Sequence, residues 1–267
     1  MKAIKAYPFN STSETSLVAV TREVSCSHCG APLPVQPGEI LATCGYCGFT
    51  SVIETGRAFE FEHSLILNSI QAAQVSELIR SWMANSFIAP RDLAKKSILT
   101  EQNLVYLPFW VVSTEATTHY NGIFERISPP AEKQGDIVNR YDWLILARRK
   151  SDFPTRSYHL SLSGKIPFEA TKIERGAKVL NSEMDSDEAV RQARDEIENL
   201  HEHLVKDKVD RIVDIRTELD VSRAYYLHAP IWFITYSYKD SRYQVLLDGS
   251  SAEVIRGNLP SEDFKLL

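Results

Sequence analysis

Four cysteines are the residues of this chain whose type and spacing most directly specify a chemistry. They fall as Cys26-Ser27-His28-Cys29-Gly30 and Cys44-Gly45-Tyr46-Cys47-Gly48. Zinc takes four soft ligands in a tetrahedron, and each Cys-x-x-Cys turn supplies two thiolates from one side. The glycine after each second cysteine lets the turn reach positive φ, so that backbone N–H groups point at the sulfurs and spread their charge. Four protein ligands close the coordination sphere and leave no position for a reactive water. The expected metal is therefore one structural zinc. Two disulfides or two redox pairs are the alternatives. Redox Cys-x-x-Cys pairs are usually single and sit ahead of a helix in a βαβ setting, which doubled, glycine-bearing knuckles do not match. His28 lies inside a knuckle and reads as a solvent-facing loop residue, with a Cys₃His site as the other option.

The remaining residues offer weaker chemistry. His201-Glu202-His203 invites a metal reading, but residues two apart on a helix point about 200° from each other and cannot share an ion. The triplet reads instead as the polar surface of an acidic helix. His119, His159 and His228 stand isolated, which leaves only a cluster in space open to them. The chain has no dinucleotide-binding glycine pattern, phosphate loop, nucleophile elbow or His-Glu-x-x-His. Asp248-Gly249 is first a turn signal. No catalytic residue is expected.

One stretch runs against the acidic whole. From Arg140 to Lys178 there are nine Lys/Arg and four Asp/Glu, a balance of +5. Its cations Arg148, Arg149, Lys150, Arg156, Lys165, Lys172, Arg175 and Lys178 interleave with Tyr141, Phe153, Tyr158 and Phe168. Either they are linker and strand-edge charges that discourage edge pairing, or they form a surface for phosphates or an acidic partner.

These residues need elements to hold them. The insert between the knuckles carries Pro32, Pro34, Pro37 and Gly38, then Ile40-Leu41, which suits a hairpin arm; 49–53 closes it as a strand. Further on, Tyr106-Leu107-Pro108-Phe109-Trp110 aligns with His228-Ala229-Pro230-Ile231-Trp232, and Tyr120 and Tyr243 follow at nearly equal distances. Pro108 and Pro230 are expected to begin strands, where a missing N–H does no harm. Trp110 and Trp232 are expected to fill equivalent cores, with a ligand groove as the alternative.

A helix precedes each copy. Ala72, Val75, Ile79 and Trp82 share one face of the first; Val190, Ala193, Ile197, Leu200 and Leu204 share one face of the second. Asp185-Ser186-Asp187-Glu188 reads as a capping box opening the second. Strands are expected at 105–116, 119–127 and 141–148, then at 211–219, 231–238, 242–247 and 252–255. Each unit would be a helix packed on its own antiparallel meander. The fold expected is α+β: a Cys₄ zinc ribbon followed by two similar helix-plus-antiparallel-sheet units, a tandem duplication. The boundaries fall at 1–20 for an N-terminal strand or extension, 21–56 for the ribbon, 57–165 for the first unit and 166–267 for the second.

The Cys-x-x-Cys-Gly pairs resemble the zinc ribbons of transcription factor B, of RNA polymerase subunits and of some ribosomal proteins, a likeness confined to about 21–56. The whole arrangement resembles uncharacterised prokaryotic, archaeal-type zinc-ribbon proteins with repeated Pro-x-Trp α+β modules. The matching positions are the four cysteines, Leu107-Pro108-Phe109-Trp110, and Ala229-Pro230-Ile231-Trp232 with Tyr243 and Asp248-Gly249. The likeness implies an architecture and no activity.

Composition bounds what such a chain can do. Its 267 residues are 43% hydrophobic and 24% charged, enough to bury a core, and its net charge of −5 argues against a generic polyanion binder. The longest apolar run, 104–112, contains Pro108 and is too short to span a bilayer. The N-terminus shows no apolar signal-peptide core, so a cytoplasmic location with no membrane partner is expected. Between Val24 and Ile53 there is no Lys or Arg, so the ribbon is a poor grip on phosphates. The first functional expectation is a non-enzymatic adaptor for a protein partner. The second is a nucleic-acid- or ribosome-associated factor using the basic stretch. The third is a ligand binder or enzyme in the cleft between the units.

Overall fold

The computed structural model describes residues 24–33, 41–52, 62–149, 151 and 153–260. The expected N-terminal extension, most of the proline-rich insert, Ile53 and Lys150 lie outside the described residues. The ribbon strands are β1 (Val24–Ser25), β2 (Pro32–Leu33), β3 (Leu41–Thr43) and β4 (Thr50–Val52). Next come β5 (His63–Leu65), α1 (Ala72–Ala84), α2 (Leu93–Lys96), β6 (Ile98–Phe124) and β7 (Ala131–Leu146). The chain closes with β8 (Ile166–Pro167), β9 (Lys178–Val179), α3 (Ser186–Lys206), β10 (Arg211–Tyr238), β11 (Ser241–Asp248) and β12 (Val254–Gly257). The class is α+β: one eight-stranded sheet, two small two-stranded sheets in the ribbon, and few helices.

Two very long strands form the spine. β6 has 27 residues and β10 has 28, and they pair antiparallel from Ile98–Ser237 to Ile123–Arg211. Sequence patterning divides each of them in two. The structure does not, because the stretches 113–119 and 219–229 lack glycine and turn geometry, and alternation carries the ladder through. Three register shifts, near Ile212/Asp214, Val221/Arg223 and Thr235/Tyr236, relieve the strain of such length by locally bending the ladder.

The two Pro-x-Trp motifs meet at the middle of this ladder. Leu107 pairs with Ala229, Tyr106 with Pro230, and Pro108 with His228. The outer edges match as well. β7 joins β6 at Phe109–Leu146, and β11 joins β10 at Ile231–Asp248. Ala147 N donates to Pro108 O (2.9 Å) just as Gly249 N donates to Pro230 O (2.8 Å). Leu180 N bonds Tyr106 O (3.1 Å) just as Ile66 N bonds His228 O (2.9 Å).

Neither proline begins a strand, which corrects the sequence expectation; both sit mid-strand. Each proline carbonyl faces the outer edge, so its nitrogen faces there too. At that point the outer partner changes, from β9 to β7 along β6 and from β5 to β11 along β10. The missing N–H therefore falls in the gap between two neighbours and removes no ladder bond.

The short strands are exchanged between the halves, and neither helix packs on its own meander alone, contrary to the sequence expectation. β5 pairs parallel with β10 at Tyr226–His228, and β9 pairs parallel with β6 at Val105–Tyr106. Each short strand thus joins the long strand of the other half, and the helix that follows packs over strands of both halves. Val75, Ile79 and Met83 of α1 pack with Trp232, Ile234, Tyr236, Val245 and Leu247, alongside Leu104 and Tyr106. Ala189 and Ala193 of α3 pack with Trp110, Val112 and Ile145. Trp110 and Trp232 are both buried core residues, and their ring N–H groups bond Met184 O (3.2 Å) and Asn68 Oδ1 (3.0 Å). Half of the expected α3 capping box forms: Asp185 Oδ1 accepts from Glu188 N at 2.7 Å, while the Glu188 carboxylate accepts from Arg149 Nη2 at 2.7 Å.

Candidate metal centre and buried histidines

The two knuckles are near copies of one turn. Cys26 N bonds Ala31 O and Gly30 N bonds Cys26 O, both at 2.8 Å; Cys44 N bonds Phe49 O at 2.8 Å and Gly48 N bonds Cys44 O at 2.9 Å. Gly30 and Gly48 adopt φ of 73° and 69°, the left-handed turn for which glycine is suited. All four sulfurs lie within 4.8 Å of one another, with Cys26–Cys47 and Cys29–Cys44 at 3.7 Å. A disulfide needs about 2.05 Å. Four thiolates at about 2.3 Å from a central zinc stand roughly 3.8 Å apart along each edge of the tetrahedron. The four cysteines therefore form a cluster of metal-binding dimensions.

Local hydrogen bonding divides the sulfurs. Backbone N–H groups of Cys29 and His28 outweigh burial and hold the Cys26 thiol down at about 6. N–H groups of Cys47 and Tyr46 lower Cys44 in the same way. The Phe49 N–H favours the Cys47 thiolate, but burial and three neighbouring sulfurs push that thiol up to about 12. Four sulfurs this close cannot all ionise without a cation among them.

The ribbon is seated on the body. The Asn181 side chain spans Leu41, accepting from its N–H (3.1 Å) and donating to its carbonyl (2.9 Å). Leu41 itself joins the main core. Gly48 lies so close to Gly176 that a Cβ there would stand 2.8 Å from Gly176 N. His28 is exposed and stacks on Phe49, with ring centroids 5.3 Å apart, and its Nε2 accepts from Arg175 Nη2 at 3.3 Å. It ties the ribbon to the body and lies outside the sulfur cluster.

The other basic residues are dispersed, and carboxylates from elsewhere meet several of them. Arg140 pairs with Glu115 and Arg148 with Glu183, each at 2.7 Å; Arg149 pairs with Glu188 at 2.7 Å, and Arg156 reaches Glu196 at 3.8 Å. Lys165 bonds Glu62 at 2.7 Å and stands over the Tyr225 ring. Lys172 and Lys178 are exposed. Arg148, Arg149 and Arg156 line one cleft of about 570 Å³ with Gln192 and Glu196.

Two histidines read as polar or isolated are buried and networked, a correction to the sequence reading. His201 belongs to the buried stripe Ala189, Ala193, Ile197, His201, Val205 of α3. Its Nδ1 meets Thr118 Oγ1 at 2.7 Å and its Nε2 meets the Tyr141 hydroxyl at 2.9 Å. The unbroken four-residue spacing was the available signal; the polar triplet around His201 masked it. His228 is buried beside His63, with 2.9 Å between His228 Nδ1 and His63 Nε2. Its Nε2 lies 2.8 Å from Leu180 O. A carbonyl only accepts, so Nε2 carries the His228 proton and Nδ1 accepts from His63. His63 also stacks on Phe168 at 4.0 Å. Nothing in the sequence announces this pair, because 165 positions separate its members. His119 bonds Asp136 at 2.6 Å on an exposed face, and His159 is exposed.

No helix among the described residues is long and apolar enough to cross a membrane. No family model matches the chain, and neither a curated protein nor a solved structure matches it. The functional reading therefore rests on the site itself.

Proposed function

We propose that the chain is a non-enzymatic zinc-ribbon adaptor, built as a tandem duplication and carrying one structural zinc. The sulfur cluster carries this reading, because its 3.7 Å separations suit a tetrahedral ZnS₄ centre and its four protein ligands leave no open position. Zinc at that centre would neutralise the mutual repulsion of the thiolates and hold both knuckles; it would supply no reaction step. Matching edge bonds at Pro108 and Pro230, and the matching crossing of β5 and β9 to the opposite long strand, support the duplication. The free thiols that such a site requires suit a reducing compartment, in keeping with the cytoplasm. A ribbon with no Lys or Arg from Val24 to Ile53, seated on the body through Leu41 and Asn181, suits a protein partner.

Metal analysis should return one zinc per chain, and Cys26→Ser or Cys47→Ser should release it. Affinity capture from native cells should then return a stoichiometric protein that binds the purified chain directly. A chain free of zinc, or one with no such partner, would overturn the reading.

The cleft lined by Arg148, Arg149 and Arg156 favours a second reading, contact with the phosphates of a nucleic acid. The pairing of all three with Glu183, Glu188 and Glu196 weighs against it. If it holds, RNA binding should fall steeply with salt, and Arg149→Glu with Arg156→Glu should abolish it.

A further inference from the structure

The loop between α1 and α2 presents an apolar tip that the fold does not use. Phe87 is 105% exposed and its neighbour Ile88 is 73% exposed. A side chain more exposed than its extended reference projects from the surface. Two adjacent large apolar groups projecting together mark an interaction site more than a solvated turn.

The comparable segment of the second half makes no such tip. The chain from the start of α1 to the start of β6 (72 to 98) is slightly longer than that from the start of α3 to the start of β10 (186 to 211). In the second case the helix continues for 21 residues; in the first it stops after 13, and the chain projects Phe87 and Ile88 before the single turn of α2.

Cations gather at the base of this tip. Arg80 donates from Nη1 to Ala94 O, which brings the guanidinium of α1 to α2. Lys95 and Lys96 occupy the last turn of α2, and Arg91 immediately precedes that helix. Asp92 is the single acidic residue from 80 to 96, leaving that segment at +3 within a chain of −5. Asp92 is itself held by Lys96 (2.8 Å) and by the Tyr238 hydroxyl (2.7 Å).

We propose that this loop docks on an anionic lipid surface, with Phe87 and Ile88 entering the boundary between headgroups and acyl chains. Arg80, Arg91, Lys95 and Lys96 then face the lipid phosphates. A projecting tip offers little area for shape matching with a folded partner, whereas a fluid interface accepts it without a prepared pocket. Juxtaposed cations add attraction that an anionic leaflet supplies and a neutral one lacks. The chain would lie on the surface and not cross it, which revises the expectation of no membrane partner. Net repulsion from the remaining acidic surface is screened beyond about 8 Å at physiological salt.

Co-sedimentation of the full chain with vesicles provides the test. Phosphatidylcholine vesicles containing phosphatidylserine should pellet the protein, and pure phosphatidylcholine should not. Phe87→Ser with Ile88→Ser should abolish pelleting while leaving the melting temperature unchanged, since neither side chain is packed. Lys95→Gln and Arg91→Gln should each weaken it about fivefold, and added salt should weaken it further. No pelleting of the wild-type chain, or pelleting unaffected by the Phe87/Ile88 variant, overturns the proposal. Loss of a co-purifying protein from that variant without any vesicle binding would assign the tip to a protein and overturn it equally. Zinc content is measured in the same samples and is independent of either result.

Discussion

At the scale of single residues, the His63–His228 pair makes a prediction that the cysteine cluster does not. Burial, with His228 close by, holds His63 down at about 3, and burial holds His228 at about 4. Both rings return to about 6.5 when the chain unfolds. Below that value the unfolded chain binds more protons than the folded one, so acid favours unfolding. The contribution is complete above about pH 6.5 and is lost as pH falls toward 4 and 3. Urea midpoints at pH 7 and pH 5 should differ accordingly. His63→Gln keeps a donor for His228 Nδ1 but removes one titrating ring, so its midpoint should depend less on pH than the wild type's. Equal dependence in the two proteins would show that other groups carry the acid sensitivity. His228→Phe should cost about 1–3 kcal/mol at pH 7, because it strands Leu180 O and the His63 donor in the interior, and less as pH falls, because it also removes a titrating ring.

At the scale of elements, the ends of α3 decide how it lies on the sheet. Asp185 caps its first turn, so Asp185→Ala should lower stability by about 1 kcal/mol in denaturant melts. Its other end leads into β10 past Gly122 of β6. A Cβ there would stand 2.6 Å from Val209 Cγ2 and 2.7 Å from Arg211 O, and the latter is backbone that cannot swing away. Gly122→Ala should therefore cost about 1–3 kcal/mol by overpacking; an unchanged melt would mean the crossing has slack. The cap was legible in the sequence because it depends on residues three apart. The close approach at Gly122 was not, because it joins positions far apart in the chain. The same division explains the prolines. Their pattern was visible as a repeat, but their harmlessness in mid-strand depends on where β9 ends and β7 begins, which only the folded sheet defines.

At the scale of the whole molecule, order along the chain misleads about which parts belong together. The sequence reading placed a helix and its meander in one unit, since neighbours in sequence usually pack together. Here β5 and β9 cross to the opposite long strand, and no local pattern encodes that choice of parallel partner. The cysteine cluster, by contrast, was legible in the sequence, because its four members lie within 22 positions. Chelation should, on the zinc reading proposed above, remove hydrogen-exchange protection from 24–33 and 41–52 while β6 and β10 keep theirs. Loss of protection along the spine would mean that Leu41 and Asn181 couple the two parts tightly.

The crossing of β5 and β9 between the halves yields the sharpest test of the architecture. If 57–165 and 166–267 were self-sufficient units, either would fold alone. The structure gives each half a long strand whose partner lies in the other half, from Ile98–Ser237 to Ile123–Arg211. It also gives each half a helix whose apolar stripe lies in a core shared with strands of the other half. A lone half would expose a strand edge about 90 Å long at roughly 3.3 Å per residue, together with an uncovered helix face. Each half expressed separately should therefore show no cooperative unfolding transition and should aggregate. Mixed from denaturant, the two should reassemble one to one, with circular dichroism and a melting transition close to those of the same residues joined. The covalent link between them contributes mainly effective concentration, which reassembly at high concentration replaces. A cooperative transition in either isolated half would show that its short strand can return to its own long strand, and that the exchange is a preference of the full chain and not a requirement of the fold.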